Sequence, residues 1–121
     1  MIITISSRTL PVTRTVELRT HRRMRRAFAS LSKHVVRVDV ALEEIQGGEA
    51  LGDDKVVTAR VSLSSGLSVS VEAIRRKMDK AIRVAIRRLR AATKRTLVDE
   101  RRREQRRLKF VRQAWRRALT A

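Results

Sequence analysis

The chain has 121 residues, with 30 Lys and Arg against 12 Asp and Glu for a net charge of +18, 42% apolar side chains and no cysteine. That length fits one compact domain, the charge attracts polyanions, nucleic acid first among them, and the missing thiols exclude disulfides, thiolate zinc sites and cysteine nucleophiles. No run approaches the roughly 20 apolar residues of a membrane span and the N-terminus has no signal-peptide pattern, so a cytoplasmic protein is expected.

Ile3 and Ile5 alternate with Thr4 and Ser6, the period of a half-buried strand, and Pro11 followed by Thr13 marks the entry to a helix. Val16, Thr20, Met24, Ala27, Phe28 and Leu31 then follow a helical repeat, while Arg19, Arg22, Arg26 and Lys33 fall about 180° away. Val36, Val38, Val40 and Leu42 alternate with Arg37, Asp39, Ala41 and Glu43, which predicts a second strand with one wet face. Glu43, Glu44, Glu49, Asp53 and Asp54 crowd into a Gly-containing stretch that reads as an acidic loop. Val57, Ala59, Val61 and Leu63 predict a third strand, Ser64, Ser65 and Gly66 a tight turn, and Leu67, Val69 and Val71 a fourth strand closing a hairpin. From Ile74 onward a long helix is expected, because Met78, Ala81, Ile82, Ala85, Leu89, Ala92 and Thr96 lie within about 60° of one direction. The order predicts an α+β fold, a β-α-β-β-β-α two-layer sandwich with both helices on one face of a four-stranded sheet.

Charge is distributed unevenly along this order. Residues 1–74 carry 11 basic and 8 acidic side chains, and residues 75–121 carry 19 basic and 4 acidic. Arg76, Lys80, Arg83, Arg87, Arg90 and Lys94 form a ladder at steps of three and four on the second helix, opposite its apolar stripe, so their like charges repel until a polyanion relieves them. A merely solvated face mixes signs. Between Ile74 and Val98 the sole acid is Asp79 against ten basic residues, most of them Arg, the side chain suited to bidentate phosphate contacts. Nucleic-acid binding is therefore expected. With Phe28, Phe110 and Trp115 as the only aromatics, base stacking on a sheet has no residues to use, which leaves backbone and shape recognition.

Other motifs carry no chemistry. Gly47 and Gly52 have the spacing of a phosphate loop, but Asp53 and Asp54 follow where that loop needs Lys and Ser or Thr. His21 and His34 lack a metal-ligand spacing, and Glu17 stands four residues before His21 as a helix-surface pair. No catalytic constellation is present, so no enzyme activity, cofactor, metal or small-molecule substrate is expected.

The element order and several local sequences resemble the ribosome hibernation-promoting factor family, which includes the ribosome-associated translation inhibitors and proteins once called sigma modulation proteins. The resemblance covers roughly residues 1–95. It rests on Ile3-Thr4-Ile5-Ser6-Ser7-Arg8 followed by Val12-Thr13, on the Ser-Gly-Leu turn, and on Met78, Ala81, Ile82 and Leu89; the residues flanking Met78, Lys77 and Asp79, depart from the family pattern. It implies a domain over 1–96, similar in layout to double-stranded RNA-binding domains, that lodges on the small ribosomal subunit and fills the channel used by messenger and transfer RNA under stress. The rRNA-binding residues are then Arg8, Arg19, Arg22, Arg26, Arg76, Lys80, Arg83, Arg87, Arg90 and Lys94. A general RNA- or DNA-binding protein on the same fold is the alternative.

Residues 97–121 form an Arg-rich amphipathic tail. Its stripe, Leu108, Val111, Trp115 and Leu119, points about 100° away from that of the preceding helix, so one straight helix cannot bury both on the same sheet. The pattern calls for a bend near Asp99 to Arg107 or a separate partner: folding on rRNA, self-association through Trp115, or an anionic membrane surface.

Overall fold

The computed structural model describes residues 1–9, 11–45 and 54–120. Its elements are β1 (Ile2–Ser7), α1 (Arg14–Phe28), a 3-10 helix (Ala29–His34), β2 (Val35–Glu44), β3 (Lys55–Leu63), β4 (Ser68–Arg75) and α2 (Met78–Thr120). The strands lie in the order β1-β2-β3-β4, with β1 parallel to β2 and the remaining pairs antiparallel. This is the expected β-α-β-β-β-α arrangement. The glycine-bearing part of the acidic loop, with Gly47, Glu49, Gly52 and Asp53, lies outside the described residues.

Strand alternation sets the core. Cross-strand rows run Ile3–Val38–Val61–Val69 and Ile5–Val40–Ala59–Val71, and both helices lie on that face. Met24 and Phe28 of α1 and Ala81, Ile82, Ala85 and Leu89 of α2 are buried against it. Removing a side chain such as Phe28 or Leu89 from water contributes about 1.5–3 kcal/mol each. The other sheet face is a polar network. Thr4 donates a hydrogen bond to Asp39, and Arg37 Nε donates to the same carboxylate at 2.7 Å. Burial pushes the Asp39 carboxyl up, but the Thr4 and Arg37 hydrogen bonds and the Arg37 and Arg60 charges together hold it below its ordinary value.

Local chemistry explains the element boundaries. Thr13 caps α1, its Oγ1 accepting from the Val16 N–H at 3.2 Å. The β3–β4 turn closes through Gly66, whose φ of +95° lies in the region that residues with a Cβ avoid. At the opposite end of the hairpin, Lys55 Nζ donates to Glu44 at 2.6 Å and to Asp54 at 3.2 Å, and the Glu44 contact holds the ammonium above its usual pKa.

Two expectations are corrected. Val36 does not share the inward row with Val38; a register shift between Val35 and Arg37 turns Val35 inward and leaves Val36 exposed. Ile74 does not begin the second helix. It pairs with Val56 as the outward neighbour of buried Ala73, and the helix starts at Met78. Of the bend and the separate partner that the tail pattern left open, the helix shows no break at Asp99–Arg107: α2 runs unbroken for 43 residues, and from Arg101 to Thr120 every residue is exposed. Its second stripe is left uncovered rather than folded back. No helix among the described residues is long and apolar enough to cross a membrane.

Candidate nucleic-acid interface

α1 and the first half of α2 start at the same end of the sheet and run side by side. Their outer surfaces form one continuous face opposite the polar side of the sheet. Asp79, in the first turn of α2, joins the two helices: Arg23 Nη1 donates to Oδ1 at 2.8 Å, Arg19 approaches the same oxygen at 3.8 Å, and Arg83 Nε reaches Oδ2 at 3.2 Å. Hydrogen bonding from Arg23 outweighs the effect of burial and, with the charges of Arg83 and Arg19, holds the Asp79 carboxyl below its usual range. One anion thus gathers three guanidinium groups that would otherwise repel, and the surrounding face remains strongly positive.

Along this junction Arg23, Ala27, Arg83, Ile86, Arg87 and Lys94 line a shallow groove between the helices. Arg19, Arg22, Arg23 and Arg26 line a second depression along α1 with Leu18. The arrangement is a broad cationic surface with small apolar floors. It suits successive phosphates of a folded nucleic acid better than a small ligand, which would need enclosure and a few convergent polar groups.

The expected residues divide into four groups. Arg22, Arg26, Lys80, Arg87 and Lys94 are exposed, and no ion pair holds them among the described residues. Arg19 and Arg83 share Asp79 and stay largely exposed, with 54% and 64% of their side-chain surface accessible. Arg90 differs from the rest of its ladder: it is half-buried, and its Nε donates to the Ala27 carbonyl at 3.0 Å. That bond satisfies a carbonyl at the end of α1 and ties α2 to it. Arg8 is exposed beyond β1, where its backbone N–H donates to the Leu42 carbonyl at 3.3 Å. It sits at the end of the sheet from which both helices start, where Arg76 also lies.

Two arginines were missed by the reading of helical faces. Arg23 belongs to the junction, and the signal for it was Asp79, the one acid in the first half of a basic helix. Arg88 Nη1 donates to the Glu72 carbonyl at 2.8 Å and holds α2 to β4, a contact with no sequence signal.

No family model matches the chain, and no curated protein does. Solved structures do. A ribosomal subunit interface protein from Coxiella burnetii matches with a TM-score of 0.67 at 15% identity, over 80% of this chain and 99% of that one. The Protein Y N-terminal domain from Thermus thermophilus matches with a TM-score of 0.65 at 22% identity, over 79% of this chain and 99% of that one. At these identities the likeness is one of fold.

Proposed function

We propose that this chain is a non-enzymatic, ribosome-associated factor of the hibernation-promoting type. The face built by α1 and the first half of α2 seats on small-subunit rRNA, and the body of the domain closes the channel for messenger and transfer RNA, halting translation under stress in the cytoplasm. Residues 1–96 are the binding domain and residues 97–121 its extension. The observation that carries this reading is the two-helix cationic face with a single internal anion, on a fold shared with a ribosomal subunit interface protein. Arg8, Arg19, Arg22, Arg26, Arg76, Lys80, Arg83, Arg87 and Lys94 supply phosphate contacts in it, and Arg90 sets the angle between the helices that present them.

Occlusion is a stoichiometric mechanism. In sucrose gradients the protein should travel with small subunits, inhibit translation at about one copy per ribosome and compete with transfer RNA. Inhibition far below that ratio, or undisturbed transfer RNA binding at saturation, defeats the reading. A second reading, general RNA or DNA binding, is favoured by the lack of any aromatic platform on the sheet, since phosphate contacts alone carry no sequence information. Excess bulk RNA separates the two: a ribosome factor stays on small subunits, and a general binder is stripped from them.

A further inference from the structure

Beyond the end of α1, α2 continues as an overhang over residues 98–120, roughly 34 Å long at about 1.5 Å per residue. At about 100° per residue, Asp79, Ile86, Arg90, Leu97, Leu108 and Trp115 fall within roughly 40° of one direction. That direction faces α1, because Asp79 meets Arg23 and Arg90 meets the Ala27 carbonyl. The apolar stripe of the overhang therefore continues the seam on which α1 lies. Past the end of α1 it is bare, with Trp115 64% and Leu119 80% exposed. Where the overhang begins there is also a groove of about 800 Å³, walled by Leu31, Leu67, Leu97, Val98 and Arg101.

We propose that a second copy of this chain covers this seam, the two overhangs pairing antiparallel about Leu108. This register sets Leu97 level with Leu119 of the other copy, so that the end of each overhang reaches the groove at the start of the other. Arg101 comes level with Trp115, a cation–π pair. Glu104, the acid within the stripe, comes level with Arg112 of the other copy; within its own chain it holds Arg107 at 2.8 Å. A parallel pair would instead set Glu104 beside Glu104 and Arg101 beside Arg101. The same groove, stripe and charge order thus select one direction and one register. The pairing is independent of what α1 and the first half of α2 bind.

Charge gives the association a distinctive salt response. Each overhang carries nine basic and three acidic side chains over residues 98–120, so two copies repel at long range. Raising salt from about 0.1 M to 1 M shortens the screening length from about 10 Å to about 3 Å, which strengthens the pair and weakens any nucleic-acid contact.

The test is sedimentation equilibrium of the full chain, nuclease-treated, from low micromolar to hundred-micromolar concentration, with the fluorescence of its one tryptophan, Trp115, recorded in parallel. The expected result is a monomer–dimer equilibrium that tightens roughly tenfold over that rise in salt, with Trp115 emission shifting to shorter wavelength as dimer forms. Glu104→Arg and Arg112→Glu should each weaken the dimer and together restore it. A monomer at every concentration, a dimer untouched by Trp115→Ala, or two charge variants whose combination rescues nothing would overturn the proposal. So would an association that weakens with salt, which is nucleic acid bridging two copies, or a Trp115 shift seen only with anionic phospholipid vesicles.

Discussion

The guanidinium of Arg23 on α1 and the carboxylate of Asp79 on α2 meet at 2.8 Å, and through that contact the only acid in the first half of the second helix binds the two cationic helices together. The pair matters because α1 and α2 would otherwise repel along their shared edge. Asp79 is 46% exposed on its side chain, so its value is that of a small surface network rather than a buried ion pair.

Replacing Asp79 with Ala should separate stability from binding. Loss of the network costs about 1 kcal/mol, or roughly 4 °C in melting temperature for a domain of this size. Affinity for RNA should rise, since one negative charge leaves the face and three arginines are released to phosphates. The folded pKa of Asp79 is depressed. Its stabilising contribution is therefore complete above about pH 4 and lost as pH falls through the folded value. Thermal melts of wild type and variant should converge on acidification and stay apart at neutral and alkaline pH. A variant as stable as wild type at pH 7, or one that binds RNA more weakly, would contradict this account.

Changing Lys80, Arg87 and Lys94 together to Glu should leave the melting temperature nearly unchanged, because all three side chains are exposed and unpaired among the described residues. If the five ladder residues other than Arg90 neutralised phosphates, binding would weaken roughly 130-fold between about 50 and 200 mM salt; three lost contacts flatten the logarithmic slope by about 2. Arg60→Glu alters net charge as much as Arg87→Glu but lies on the opposite sheet face, where Arg60 donates to Ser68. Binding titrations on small-subunit rRNA should find Arg87→Glu much the more damaging. Equal losses would mean diffuse attraction without an oriented face.

Most of the fold was legible because each strand has one buried face, so a period of two places Val38, Val40, Ala59 and Val61 without knowledge of their neighbours. The same logic places the core stripes of both helices. What escaped it depends on pairing between elements. The shift that turns Val36 outward exists only in the register of β2 against β3. Periodicity sets Arg90 and Arg87 in one ladder, yet Arg90 reaches the Ala27 carbonyl because α1 ends beside it. Likewise the tail stripe was visible as misaligned with the core stripe, but not that it continues the seam facing α1, since that requires knowing on which side of α2 the other helix lies.

Gly66→Ala should destabilise the domain by about 1 kcal/mol. No atom would block the added methyl group, so the cost comes from the backbone: φ of +95° is held by the turn in which the Gly66 N–H donates to the Leu63 carbonyl at 3.0 Å. Chemical denaturation should show a lower midpoint with an unchanged slope. Stability equal to wild type would mean that the turn can relax to another type without disturbing the β3–β4 register.

Deleting residues 98–121 should leave a cooperatively folding domain. Among the described residues, 1–97 contain all four strands, α1 and every buried apolar side chain, with Leu97 the last residue of α2 packed against the core. The described losses are exposed ones, such as the hydrogen bond from Ser65 to Glu100 at 2.7 Å. The melting temperature should therefore fall by no more than about 4 °C, the equivalent of about 1 kcal/mol, while helical ellipticity drops in proportion to the residues removed. Nine basic side chains leave with the overhang. If they touch nucleic acid, the salt slope of binding shrinks beyond what the ladder accounts for; if they only flank a seam between two copies, the slope is unchanged and the chain sediments as a monomer. Loss of the cooperative transition would show that the overhang supports the sheet, and that residues 1–96 do not form a unit of their own.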